Sequence, residues 1–408
     1  MSTQEATPIP LGMALTPANP AYQADPYSLL DAVREAGRVH YDEFFHRYVV
    51  SGFDDVEAIL HDRSLAVDPR KAAPDTFNAI FRNRAREDRE PSMLFLDPPD
   101  HTRLRALVQK AFTPRAVERM APRIARIADE LLDAVDGQES FDLMAAFAAP
   151  LPTIVIAEML GIDPADRADF KRWSDTGVAA GFDPFADEET KRAAETSGVE
   201  LEAYLRKAIA ARRAAPGDDL ITGMIQAEDA GDFLNDDEIR SMISLLLAAG
   251  NVTTTDLIGN GVLLLLQHPE QYRLLREDHG LIKNAVEEML RVAAPVTFSG
   301  RITTEDREIA GCPVHAGQSI TVSLAGAAYD PAANADPHRF DVTRAEPKHL
   351  AFGGGRRYCL GAPLARLEAV IGLDRLVMRF PNLRPAEQEL VYKRVPGFRG
   401  LERLNVVP

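Results

Sequence analysis

A mainly α-helical fold with small β-sheets is what this sequence predicts, and three observations carry the prediction. Apolar residues recur at helical spacing over most of residues 21–340, β-rich runs are few and short, and one helix opening at Asn235 is unusually long. The first helix is expected near 27–36, where Asp25 can cap and Pro26 suits a first turn. Strands are expected at Tyr48–Ser51, Arg301–Ile309 and Gln318–Ser323, each bounded by Gly, Asp or Pro. The long helix starts at Asn235-Asp-Asp-Glu, a cap followed by first-turn acids, and stops at Gln267-His-Pro. At about 33 residues it would span roughly 50 Å. Its middle, Leu245 to Asp256, is apolar around much of its circumference, as suits a helix crossing an interior. Gly250 and the run Thr253-Thr-Thr are poor helix formers there. A glycine permits close approach of a ligand, and threonine hydroxyls bond back to carbonyls one turn earlier.

Composition narrows the class. The chain has 408 residues, 46% hydrophobic and 26% charged, which is ordinary globular usage and excludes a disordered or coiled-coil chain. With 46 Lys plus Arg against 62 Asp plus Glu, the net charge is −16, so neither nucleic acid nor an anionic membrane is an expected partner. Only Cys312 and Cys359 are present, which leaves no disulfide framework and no Cys-x-x-Cys pair. The start lacks a basic n-region and an apolar h-region. A reducing, cytoplasmic location is expected. Residues 1–20, rich in Pro, Thr and Ala, read as a flexible N-terminal arm, and 21–408 as a single domain.

The segment Phe352-Gly-Gly-Gly-Arg-Arg-Tyr-Cys-Leu-Gly-Ala-Pro carries the chemistry. Three glycines permit a tight loop, and Pro363 suits the first turn of a following helix. Cys359 therefore sits just before a helix N-terminus, where free N–H groups favour a thiolate. The loop fits neither a Gly-x-x-x-x-Gly-Lys-Ser/Thr phosphate cradle nor a dinucleotide fingerprint.

In Phe352, Gly353, Gly355, Arg357, Cys359 and Gly361 the chain resembles the cytochrome P450 superfamily, whose haem-binding loop reads Phe-Gly-x-Gly-x-His/Arg-x-Cys-x-Gly. Further matches follow in the family's order: Glu288-Met-Leu-Arg291 with Arg339 as a structural triad, and Ala249-Gly250-x-x-Thr253-Thr254 on the long helix. The resemblance implies the P450 fold, with haem b held by Cys359 as proximal iron ligand, the thiolate pushing electron density toward O–O cleavage. It implies His101, Arg105, Arg301 and Arg357 as propionate partners, with Phe352 and Gly361 beside the ligand. Gly250 would leave a groove for dioxygen, and Thr253 a hydroxyl beside it. One position departs: Val252 stands where the family carries an acid. Asn251 or a neighbouring backbone carbonyl is then the expected organiser of proton supply, and Asp256 lies a turn too far along the helix to replace the acid directly.

The reaction implied is insertion of one oxygen atom into a small hydrophobic substrate, with electrons from a separate ferredoxin and reductase. A peroxide-driven peroxygenase and a haem-thiolate sensor without turnover are the alternatives. An acidic ferredoxin is expected to meet a basic patch of Arg103, Lys110, Arg356 and Arg366, and the protein to act as a monomer. Phe81, Phe182, Phe185, Phe298 and Phe398 are candidates for the pocket lining.

Overall fold

The computed structural model describes residues 9–82, 92–181, 186–229 and 231–408. Phe182 and Phe185 lie outside the described residues, as does the side chain of Phe81. The central helix runs Asp236–Gln267. Asn235 accepts from the Glu238 amide while Glu238 reaches back to the Asn235 amide, a reciprocal cap that satisfies two otherwise orphaned donors. It ends at His268, one residue before Pro269 opens the next helix. From Asn251 onward nearly every side chain on it is buried. This is the only helix among the described residues long and apolar enough to cross a membrane, and most of its apolar window is buried inside the fold. Around it pack the helices Pro150–Met159, Arg167–Gly181, Ile282–Val292 and Ala362–Arg379, forming one large apolar core.

A four-stranded sheet flanks that core. Its strands are β1 (Val39–Asp42), β2 (Arg47–Val50), β3 (Phe298–Ile302) and β4 (Ser319–Ser323), in the order β1-β2-β4-β3. β2 and β4 are parallel, with Arg47 opposite Ser319, and the outer pairs are antiparallel. One face carries Val50, Ile320 and Val322 into a second apolar cluster, and Val49 on the other joins a third with Leu15, Tyr22 and Leu30.

That third cluster takes in part of the N-terminal segment. From Gly12 the chain turns back in a short helix, and Leu15 is buried beside Tyr22, because an apolar side chain at this point covers the sheet's outer face. The first long helix, Pro26–Ala36, has Asp25 as its cap as expected.

The structural triad is corrected. Glu288 and Arg291, both fully buried, pair at 2.8 Å. Their third member is Arg344, whose Nε lies 3.1 Å from Glu288. The Arg339 side chain is instead exposed and turns to Asp341, and only its carbonyl accepts from Arg291. Arg344 is favoured because it also donates to the carbonyls of Ala335, Asp336 and Arg339, tying the stretch before the Cys loop to the helix.

Candidate active site

One cavity of about 710 Å³ lies between the central helix and the Cys loop. On its loop side, Gly353 and Gly355 adopt φ of +69° and +60°. At Gly355 a Cβ would also fall 2.8 Å from the Leu60 carbonyl oxygen, so only glycine fits this turn. The Cys359 amide donates to the Phe352 carbonyl at 3.0 Å, closing the loop, and the helix Ala362–Arg379 begins three residues on. Cys359 faces the cavity. Burial pushes its thiol up, while amides of Gly361 and Ala362 and the charge of Arg105 oppose that shift. Phe352 is held under the Arg366 guanidinium, 4.4 Å from its ring centroid, and Arg366 is anchored in turn by Glu287 at 2.6 Å.

The facing wall is Ala249, Gly250, Thr253 and Thr254. A Cβ at Gly250 would meet nothing within 4 Å, so the backbone there borders open space. Thr253 Oγ1 donates back to the Ala249 carbonyl at 2.7 Å. Asn251 is on the other side of the helix: it accepts from Thr153 Oγ1 at 2.8 Å, donates to Ser174 Oγ at 3.2 Å, and does not line the cavity. Asn251, expected to organise proton supply, is placed here as a buried bridge between the central helix and two neighbours. A 100° step per residue turns it away from Thr253 and Gly250's groove. Asp256 also points away, paired with Lys393.

Sequence reasoning missed Glu368. It is buried, lines the same cavity, and lies close enough to Thr254 for that hydroxyl to favour its charged form. Burial raises its carboxyl to about 8, against the smaller lowering by Thr254. Its available signal was a glutamate two turns into the helix after the Cys loop, on the face otherwise occupied by Leu364 and Gly372.

His101, Arg105, Arg301 and Arg357 all line one part of the cavity. His101 is buried, and its Nδ1 has no partner among the described residues. Burial, then Arg357 and Arg105, push it down to about 4. Burial, with Arg357 and Arg356, brings Arg301 to about 10. The carboxylate in this group is Asp97, which already serves Arg357 at 2.8 Å and Lys71 at 3.0 Å. Cations thus outnumber anions where a dicarboxylate would sit. That deficit, an unpartnered imidazole nitrogen and a cavity-facing thiol together fit haem b.

Phe298 and Phe398 line the cavity as expected, whereas Cys312 sits in a distant hairpin. Three of the four expected patch cations are already engaged: Arg103 by Asp232 and Glu238, Lys110 by Asp229, and Arg366 by Glu287. Arg356 donates to the Leu65 carbonyl.

The Cytochrome P450 family model matches residues 185–394. Cytochrome P450 CYP107DY1 of Priestia megaterium is 42% identical over 370 residues, covering 88% of this chain and 89% of its own. The 6-deoxyerythronolide B hydroxylase of Saccharopolyspora erythraea is 38% identical over 396 residues, covering 95% and 96%. A myxobacterial cytochrome P450, CYP267B1, solved with myristic acid, superposes with a TM-score of 0.86 at 41% identity over 95% of this chain and 97% of its own. The chain belongs to the cytochrome P450 family. It is an oxidoreductase, a haem b monooxygenase that inserts one atom of dioxygen into a small hydrophobic substrate with electrons from redox partners.

Proposed function

We propose that Cys359 ligates the haem iron, that His101, Arg105, Arg301 and Arg357 hold its propionates, and that Gly250 and Thr253 frame the dioxygen site. The observation that carries this reading is that Cys359 and the Gly250–Thr253 groove form facing walls of one cavity. When bound, the haem supplies the oxidation: dioxygen, two electrons and two protons give one oxygen atom to the substrate and one to water. Phe352 and Gly361 shape the ligand's surroundings, and the apolar lining excludes water.

The chain's own task is then proton supply. Glu368, with its carboxyl raised to about 8, keeps a proton at neutral pH in a buried position. Thr254 lies beside that carboxyl, and the adjacent Thr253 hydroxyl can turn from Ala249 to position a water in the groove. Glu368 thus takes the role of the acid that Val252 lacks.

For electron supply our reading is an acidic ferredoxin meeting the proximal face. Arg356 is joined there by Arg115, Arg119 and Arg123, which are exposed and have no ion-pair partner among the described residues. Arg115 lies on the helix Pro114–Glu118, which packs against the helix following the Cys loop. We take residues 21–408 as one domain, working as a cytoplasmic monomer.

The test is spectroscopic. Reduced protein under carbon monoxide should absorb at the long wavelength diagnostic of thiolate ligation. Cys359→His should abolish the band and Cys312→Ser should keep it; loss in Cys312→Ser would overturn the ligand assignment.

A further inference from the structure

We infer that Arg47 receives the carboxylate of the substrate, which makes the substrate class an organic acid with a long apolar body. The inference deepens the reading above, in which the cavity holds both haem and substrate. Arg47 opens β2 and is only 5% exposed, yet it lines the cavity. Its Nε donates to Asp42 Oδ2 at 3.0 Å. Asp42 is fixed by the amides of Phe44 and Phe45, at 3.1 and 3.3 Å. The guanidinium carbon lies 4.8 and 4.7 Å from the ring centroids of Phe45 and Phe77, so its position is set by two rings and one carboxylate.

Nη1 and Nη2 make no hydrogen bond among the described residues, and neither is sealed from the cavity. A guanidinium whose Nε is committed presents its end-on edge, two nitrogens spaced to match two carboxylate oxygens. Because Asp42 offsets the charge, recognition depends on this paired geometry more than on net attraction. An alcohol or ester lacks the matching pair of anionic oxygens. Phe45 and Phe77 flank Arg47, and Leu15 and Phe298 line the same cavity, as a hydrocarbon body requires. Arg47 is distinct from the cations assigned to the propionates: its carboxylate is Asp42, whereas Asp97 belongs to theirs.

The test titrates the holoenzyme with dodecanoic acid and with methyl dodecanoate at pH 7.5, reading the shift of the Soret band. The parent should bind the acid at least tenfold more tightly than the ester. Arg47→Met should bring the two within about twofold without weakening the ester, and Arg47→Lys should restore part of the preference. Arg394→Met, which removes an exposed cavity-lining cation with no ion-pair partner among the described residues, should retain the full preference. Equal affinities in the parent, a preference that survives in Arg47→Met, or one lost in Arg394→Met would each overturn the assignment. The thiolate band is recorded for every variant: its presence keeps the haem reading intact when the acid preference fails, and its absence from the parent overturns the haem reading itself.

Discussion

Asp256, fully buried on the central helix, is paired at 2.7 Å with Lys393 of the C-terminal hairpin, whose tip carries the cavity residues Pro396, Gly397 and Phe398. Gly400 leaves the space the carboxylate occupies, since a Cβ there would collide with Asp256. Oδ2 of Asp256 has no partner among the described residues, so Lys393 is its main compensation. Lys393→Met should cost about 2 kcal/mol by thermal or denaturant unfolding. This is less than the roughly 3–5 kcal/mol for a fully buried pair because Lys393 is partly solvated. The double variant with Asp256→Asn should recover most of that loss, and no recovery would mean that the pair is not coupled.

Glu368 gives a pH prediction. Its folded pKa, about 8, lies above the ordinary 4.5, so the native protein retains a proton that the unfolded chain has lost. That contribution to stability is complete below about pH 4.5 and disappears as pH rises to about 8. Glu368→Gln should therefore gain stability relative to the parent between pH 5 and pH 8. A constant difference across that window would contradict the raised pKa. In turnover, the same variant should slow product formation by at least tenfold while leaving substrate affinity unchanged.

Thr253→Ala should lower the product formed per NAD(P)H consumed and release hydrogen peroxide, with substrate binding preserved. Asn251→Ala should leave that ratio at the parent value and lower the melting temperature, because it breaks the links to Thr153 and Ser174. Measuring product, peroxide and NAD(P)H together separates the two, and uncoupling in Asn251→Ala would return it to the proton path.

Arg344→Met should destabilise the haem loop's support more than Arg339→Met does. Glu288 is fully buried and loses a cation in the first case only. Haem retention after gel filtration measures the difference, and equal retention would argue against the corrected triad.

Much of this was legible from residues whose chemistry is local. The cap at Asn235, the glycine turn before Cys359 and the bare groove at Gly250 each follow from a few neighbouring positions. Relations across the fold were not legible. Arg339 and Arg344 are both plausible partners for Glu288 by sequence spacing, and only the path of the loop between them selects one. Asn251 and Thr253 are two residues apart, yet which of them faces the cavity depends on what packs against the helix. Glu368 gave no motif because its significance lies in burial and in Thr254, more than a hundred positions earlier. Nor could the sequence show that Arg103 and Lys110 meet acidic neighbours far along the chain.

The crowding of Arg105, Arg301 and Arg357 around a single carboxylate has a consequence for how this protein is made. Burial taxes all three arginines, and Arg301 and Arg357 also repel their basic neighbours; on the proposed assignment the two carboxylates of the cofactor would relieve that tension. A ligand that binds only the folded form stabilises it in proportion to the logarithm of its free concentration. On that reading haem binding would stabilise the folded chain, and protein made without haem would be the form more readily degraded.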